Sequence, residues 1–254
     1  MAIDQAVDFG KPNVELCHSM HKPSLRNDRE QSRLSINQFI TAQAVSRLTA
    51  GMKVLDAGSG NLSEQTFRLE ILASGATLTT CDAKANEGVD HVVDLHALPF
   101  PDAEFDLLLC VQVLEHIRNP DHVCAEFYRV LKPGGVAIVT VPQITHTLTD
   151  GAPPHYFNFT RYALETCLTD AGFKTIALES QGGAFCVAAH MLHYTVPVIR
   201  ESKIPRLLKT IVVPVCRVMF GLVLKTFFKA IDHLDTKQRS SLGWNICVSK
   251  PATP

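Results

Sequence analysis

The chain has 254 residues, 24 Lys plus Arg against 25 Asp plus Glu, and a hydrophobic fraction of 46%. That length and apolar content suit one α/β domain with additions, and they exclude a disordered chain, a collagen-like repeat and a disulfide-stapled miniprotein. Eight cysteines, at 17, 81, 110, 124, 167, 186, 216 and 247, form no Cys-x-x-Cys pair, so the expectation is reduced thiols in a cytoplasmic compartment rather than a disulfide framework or a cysteine zinc site.

The first residues carry Asp4 and Asp8 and no apolar run, unlike a secretory signal. Leu34, Ile36, Phe39, Ile40, Ala44, Val45 and Leu48 fall near helical spacing and predict a helix over 29–48, stopped at Gly51. Strands then follow at 53–57, 77–81, 91–93, 105–110, 136–141 and 174–178, with helices at 62–73, 121–131 and 161–171 between them. Alternation of this kind predicts right-handed crossovers and a doubly wound, mostly parallel Rossmann-like sheet with seven strands. Its ligand crevice is expected at the carboxyl ends of the first strands. After Gly183 the text turns to apolar segments holding Pro197, Pro205 and Pro214, then closes on a short strand at 244–248. The expected organisation is an N-terminal extension and helix (1–50), a core (51–183), a helical insertion (184–243), and a last strand and tail (244–254). The longest apolar stretch, 211–231, contains Pro214, Arg217, Lys225 and Lys229, so no membrane-spanning segment is expected.

The strongest local signal is Val54-Leu55-Asp56-Ala57-Gly58-Ser59-Gly60-Asn61, an apolar strand running into a glycine turn. Two glycines let a backbone approach a ligand, and a following helix offers unpaired N–H groups. Ser63 stands where a dinucleotide fingerprint has its third glycine, and Asp56 would repel a pyrophosphate, which argues against an NAD-dependent oxidoreductase. Asp82 ends the second strand 22 residues past Gly60, where an acid can accept both hydroxyls of a ribose. Asp94 follows the third strand in Val93-Asp94-Leu95-His96-Ala97-Leu98-Pro99-Phe100, placed to receive an exocyclic amine while Leu95 packs on a base. Taken singly, Asp82 or Asp94 reads as a cap or turn residue. Three acids at three successive strand ends read as a site.

With Leu114-Glu115-His116 and the run Arg129-Val130-Leu131-Lys132-Pro133-Gly134-Gly135, these motifs resemble the class I S-adenosylmethionine-dependent methyltransferases, in the type 11-like group. The resemblance covers about half the chain, Val54 to Gly183. It implies that the loop Asp56, Ala57, Gly58, Ser59 and Gly60 holds the methionine part of S-adenosylmethionine, with Asp56 near its ammonium. Asp82 with Ala83 would bind the ribose, Asp94 and Leu95 would line the adenine, and Cys110, Val111 and Gln112 would face the sulfonium. The implied function is methyl transfer to a heteroatom, foremost a hydroxyl oxygen, of a small-molecule or membrane-associated metabolite. The alternative is a cofactor-binding, non-catalytic partner subunit.

Methyl transfer from a sulfonium is an in-line displacement in which the protein aligns the nucleophile and excludes water. A base is needed only for a protonated acceptor, and His116, His146 and His155 lie in segments expected above the sheet. His155 is the favoured base, because Pro153 to Tyr162 resembles a segment that roofs the acceptor pocket in related enzymes, whereas His116 reads better as fold support. Gln112-x-x-Glu115-His116 is similar to a cation-binding Glu-x-x-Glu-His element, but the amide of Gln112 replaces a carboxylate, so no metal is expected. Cys17, His18 and His21 lack a fourth partner and are not read as a metal site.

The net charge of -1 hides two unlike parts: seven cations between Arg200 and Lys229 face one acid, Glu201, giving +6 there and -7 elsewhere. On a regular helical wheel over 215–234, Arg217, Lys225, Lys229 and Asp232 share one side, and Met219, Phe220, Val223, Phe227, Ala230 and Leu234 the other. Two readings stay open. The segment either rests on an anionic membrane surface, which would make the protein peripheral to the inner face of a membrane, or packs over the sheet or across a homodimer. The acidic remainder speaks against a nucleic-acid partner.

Overall fold

The structure is a computed structural model that describes residues 28–60, 67–144, 154–238 and 240–252. Residues 17, 18, 21, 63 and 146, and the predicted start of the second helix, lie outside the described residues. The elements in chain order are α1 (Asp28–Gln43), β1 (Lys53–Ala57), α2 (Phe67–Ala73), β2 (Thr77–Asp82), β3 (His91–Val92), β4 (Phe105–Val111), α3 (Pro120–Val130) and β5 (Leu131–Pro142). They continue with α4 (Arg161–Asp170), β6 (Lys174–Ser180), α5 (Ala184–Glu201), α6 (Arg206–Val218), α7 (Leu224–Ile231) and β7 (Gly243–Ser249). The first helix stops five residues short of the periodicity, because Ala44 leaves helical geometry at φ -127° and a separate 3₁₀ turn, Val45–Arg47, follows between Ala44 and Leu48.

Seven strands form one sheet in the order β3-β2-β1-β4-β5-β7-β6, with β7 antiparallel to both neighbours and the other pairs parallel. Alternate residues of each central strand point to opposite faces, and the sequence obeys that period of two. Leu55, Leu108, Cys110, Ala137, Val139 and Ile246 enter the core under α3 and α4. Val54, Leu107, Leu109, Val136, Ile138 and Cys247 enter the one under α1 and α2. Both faces are therefore covered, which explains strands that read as continuous apolar runs. The sheet order reverses between β1 and β4, so the crevice for a ligand opens at their carboxyl ends.

Two of the sequence motifs prove to be one knot. Arg129 in α3 bonds the carboxylate of Glu126, the carbonyls of Leu98 and Phe100, and Asp102, while Glu126 accepts the N–H of Leu98 at 2.9 Å. The Asp94–Phe100 segment is thereby pinned to α3, and this charge-assisted network raises the pKa of Arg129 and lowers that of Glu126.

Between β6 and β7 the chain makes three helices. The N-terminus of α5 is capped by carboxylates from the far end of this insertion: Asp232 accepts from Gly183 and Cys186 at 2.8 and 2.9 Å, and Asp235 from Ala184 at 2.9 Å. Acidic groups at a helix N-terminus satisfy its open N–H groups and suit its dipole. The run Arg206–Leu234 is, by length and composition, apolar enough to cross a membrane, in contrast to the expectation from its internal charges.

Candidate active site

The site starts where β1 ends. Gly58 and Gly60 have φ of +80° and +58°, a left-handed backbone that L side chains rarely adopt. Gly58 also needs its missing side chain, since a Cβ there would come 2.4 Å from Cγ2 of Val113, past the end of β4. Gln112, just before it, holds φ +57° and is tied to Thr140 by its backbone N–H at 2.9 Å and its side-chain amide at 3.3 Å. A non-glycine residue in this region, braced from the next strand, is the kind of held strain found at functional sites.

Asp82, at the end of β2, reaches across to the glycine turn. Its Oδ2 accepts the N–H of Gly60 at 2.8 Å, and its Oδ1 accepts that of Lys84 at 2.9 Å. Ala83 beside it is exposed, and so is Asp94, whose carboxylate is engaged by the N–H and ring Nδ1 of His96 at 2.9 and 2.7 Å. The backbone N–H and ring of His96 lower the pKa of Asp94.

Four expectations change here. Asp56 is 1% exposed, and its Oδ2 is bonded to Nε of Arg68 at 2.6 Å, so its side chain is not open to a ligand ammonium. Arg68, 2% exposed, also donates to the carbonyl of Ser59, so this pair clamps the base of the glycine loop. Burial raises the pKa of Asp56 and Arg68 works against that rise. Ala57 is wholly buried and can offer only its backbone. Cys110 and Leu95 belong to the hydrophobic core: strand pleating turns Cys110 inward, and Leu95 is 5% exposed, which leaves Val111 and Gln112, half-buried, at the mouth. Arg68 was missed because it lies in the apolar run Phe-Arg-Leu-Glu-Ile-Leu-Ala, where no spacing rule marks one arginine as buried.

Above β4, Glu115, His116 and His155 come together, each with one polar atom within 4.8 Å of the others. The 3₁₀ turn Leu114–His116 supplies the first two, and the strand-like segment before α4 folds over it through Tyr156 N–H to the carbonyl of Glu115 at 2.8 Å. The rings of His116 and His155 meet edge to face at 4.4 Å. Nδ1 of His116 lies 2.9 Å from the carbonyl of Pro154, which only accepts, so Nδ1 carries the hydrogen and Nε2 faces Oε1 of Glu115 at 3.9 Å. Gln112, bonded to Thr140, is not a member of this trio.

Oε2 of Glu115 and Nδ1 of His155 are buried without a hydrogen-bond partner among the described residues. Burial pushes the pKa of Glu115 up to about 8, and burial together with His116 pushes that of His155 down. At neutral pH Glu115 is thus held mainly protonated and His155 neutral. Because the folded state keeps a proton on Glu115 that the unfolded chain releases above its ordinary value of 4.5, stability is expected to fall as pH rises from about 4.5 to 8 and then level. The loss attributable to this residue is about 3–5 kcal/mol. Urea unfolding of the wild type and of Glu115→Gln at pH 5 and 8.5 should show the decline reduced by that amount in the variant.

A doubly wound sheet with an acid-clamped glycine turn at its switch point, an acid closing the second strand and an antiparallel seventh strand is the architecture that the resemblance to class I methyltransferases implies. A methyltransferase-domain family matches residues 55–139. A probable S-adenosylmethionine-dependent methyltransferase of Mycolicibacterium smegmatis is 29% identical over 150 residues, 53% of this chain and 57% of its own length. The chain thus spans little more than half of that relative. Demethylmenaquinone methyltransferase of Tropheryma whipplei is 29% identical over 179 residues, 64% of this chain and 72% of its own. In fold, the chain is similar to phosphoethanolamine N-methyltransferase 2 of Haemonchus contortus in complex with S-adenosylmethionine, with a TM-score of 0.51 and 19% identity over 86% of this chain and 52% of that one. Residues 55–139 thus carry a methyltransferase domain, and over this part the chain is similar to S-adenosylmethionine-dependent methyltransferases.

The residues present fit S-adenosylmethionine. Ser59 has a buried Oγ without a hydrogen-bond partner among the described residues, directly between the two left-handed glycines, and the Asp82 carboxylate has lone pairs left for hydroxyl donors.

Proposed function

We propose that this chain transfers a methyl group to a hydroxyl oxygen of a small-molecule acceptor, with His155 as the base. The observation that carries this reading is the Glu115–His116–His155 cluster next to the glycine turn: Val113, which packs on Gly58, is followed within three residues by Glu115 and His116. When bound, S-adenosylmethionine supplies a methyl group already activated on sulfonium, so the protein's tasks are alignment, exclusion of water and removal of one proton. In this reading Gly58 to Gly60 hold the amino-acid end through their backbone, Asp82 receives the ribose hydroxyls, Asp94 faces the adenine amine, and Gln112 borders the methyl group. His155, kept neutral by burial and by His116, accepts the hydroxyl proton at Nε2, the nitrogen left after its buried Nδ1. Protonated Glu115 supports the pair as a proton-handling group. Seven free cysteines among the described residues accord with a cytoplasmic location.

The test is transfer of labelled methyl groups into a fractionated cell extract. His155→Gln should lower turnover by about 10²–10⁴-fold with cofactor affinity unchanged, and the wild-type rate should rise with pH and level before neutrality. Turnover undiminished in His155→Gln would remove it as the base. Cofactor binding without transfer to any fraction would favour a non-catalytic partner subunit.

A further inference from the structure

We propose that the helical insertion docks this chain on an anionic lipid bilayer, with the outer face of Arg206–Leu234 lying in the interface and its flanking cations on the headgroups. Along this run Leu207, Ile211, Val215, Val218, Leu222 and Phe227 are all exposed, a spacing of three to five residues that keeps to one side of a helix. None of the described residues of the 18-residue apolar window within it is buried. Between α6 and α7 the helix takes a π turn, Met219–Val223.

That turn sets the register. At about 100° per residue, a regular helix would carry Phe227 and Leu234 away from the line of Leu207, Ile211 and Val218, and would bring Lys225 and Lys229 into it. The π turn absorbs roughly one residue of winding, which returns Phe227 and Leu234 to the apolar face. The same correction moves Lys225 and Lys229 beside Arg206 and Arg217, along one flank. The regular wheel drawn over 215–234 therefore misplaced the face in its second half.

Charge identifies the occupant. The docking run holds five cations, Arg206, Lys209, Arg217, Lys225 and Lys229, against one acid, Asp232, which is turned to the α5 N-terminus; this charge complements an anionic surface, and a second copy of the chain would set another such cationic run beside it. The geometry favours lying over spanning: α5 packs along this run, and the two ends of the insertion are closed onto each other where Asp232 caps α5. Topology then aims the site. Since β5 and β6 are both antiparallel to β7, they run the same way, and the insertion leaves β6 at Ser180 and returns at Gly243 on the sheet edge that carries Gly58, Asp82 and Gln112. An acceptor drawn from the same bilayer would follow. That extension rests on the methyl-transfer reading, whereas docking needs neither acceptor nor turnover.

Flotation of the full chain tests docking, with phosphatidylcholine vesicles and with vesicles in which phosphatidylglycerol replaces part of that lipid. The wild type should float at least tenfold more with the anionic vesicles, less so in high salt. Leu222→Glu and the pair Lys225→Glu/Lys229→Glu should each lose that excess tenfold, with circular dichroism and S-adenosylmethionine titration unchanged, which separates loss of docking from loss of fold or site. Equal flotation with both vesicles, flotation with neither, or retention through alkaline carbonate as for a spanning helix would overturn the proposal. So would a vesicle-free dimer broken by Leu222→Glu, which would assign the face to a second copy.

Discussion

Replacing Arg68 with alanine is expected to destabilise the fold by about 3–5 kcal/mol, because it strands a buried carboxylate. Asp56 is 1% exposed and Arg68 2%, with 2.6 Å between Oδ2 and Nε. The pair itself adds little over an apolar pair of similar shape, since both charges lose their water. Its cost appears only when one partner goes. The double variant Asp56→Asn/Arg68→Met should therefore regain most of the loss, and denaturant unfolding of both proteins checks this. The guanidinium also holds the Ser59 carbonyl, so the single variant should bind S-adenosylmethionine more weakly even at temperatures where it stays folded.

Asp82→Ala is expected to weaken S-adenosylmethionine binding about a hundredfold. The carboxylate has two tasks in the proposed complex: it braces Gly60 at 2.8 Å in a left-handed conformation, and it accepts the ribose hydroxyls. Hydrogen bonds to a charged group contribute about 1.5–3 kcal/mol each, and losing two at the weak end of that range gives about that factor. Asp82→Asn keeps one side-chain oxygen as an acceptor and should fall between wild type and alanine. Isothermal titration at fixed salt measures all three.

What could be read from the sequence follows from how local the physics is. The seven strands and the turn at Gly58 to Gly60 depend on apolar runs and glycine geometry, both local, and they fall within a few residues of where they were expected. The end of β2 at Asp82 was legible for the same reason. Pairing across the sheet was not. Arg68 finds Asp56 only once α2 lies against β1, and Cys110 and Leu95 turn inward by pleating and packing that a motif does not encode. His116 and His155, 39 positions apart, were each suspected of chemistry, but their contact needs the segment before α4 to fold back over the 3₁₀ turn. The π turn at Met219–Val223 also escaped, because a wheel assumes regular winding.

The central claim is that the crevice between β1 and β4 binds S-adenosylmethionine, with Asp82 as an anchor. Isothermal titration of S-adenosylmethionine, and of its demethylated product, into the full chain and into Asp82→Ala tests it most directly. One saturable site in the wild type and strongly weakened binding in the variant is the predicted result. No binding by the wild type, or undiminished binding by Asp82→Ala, would contradict it.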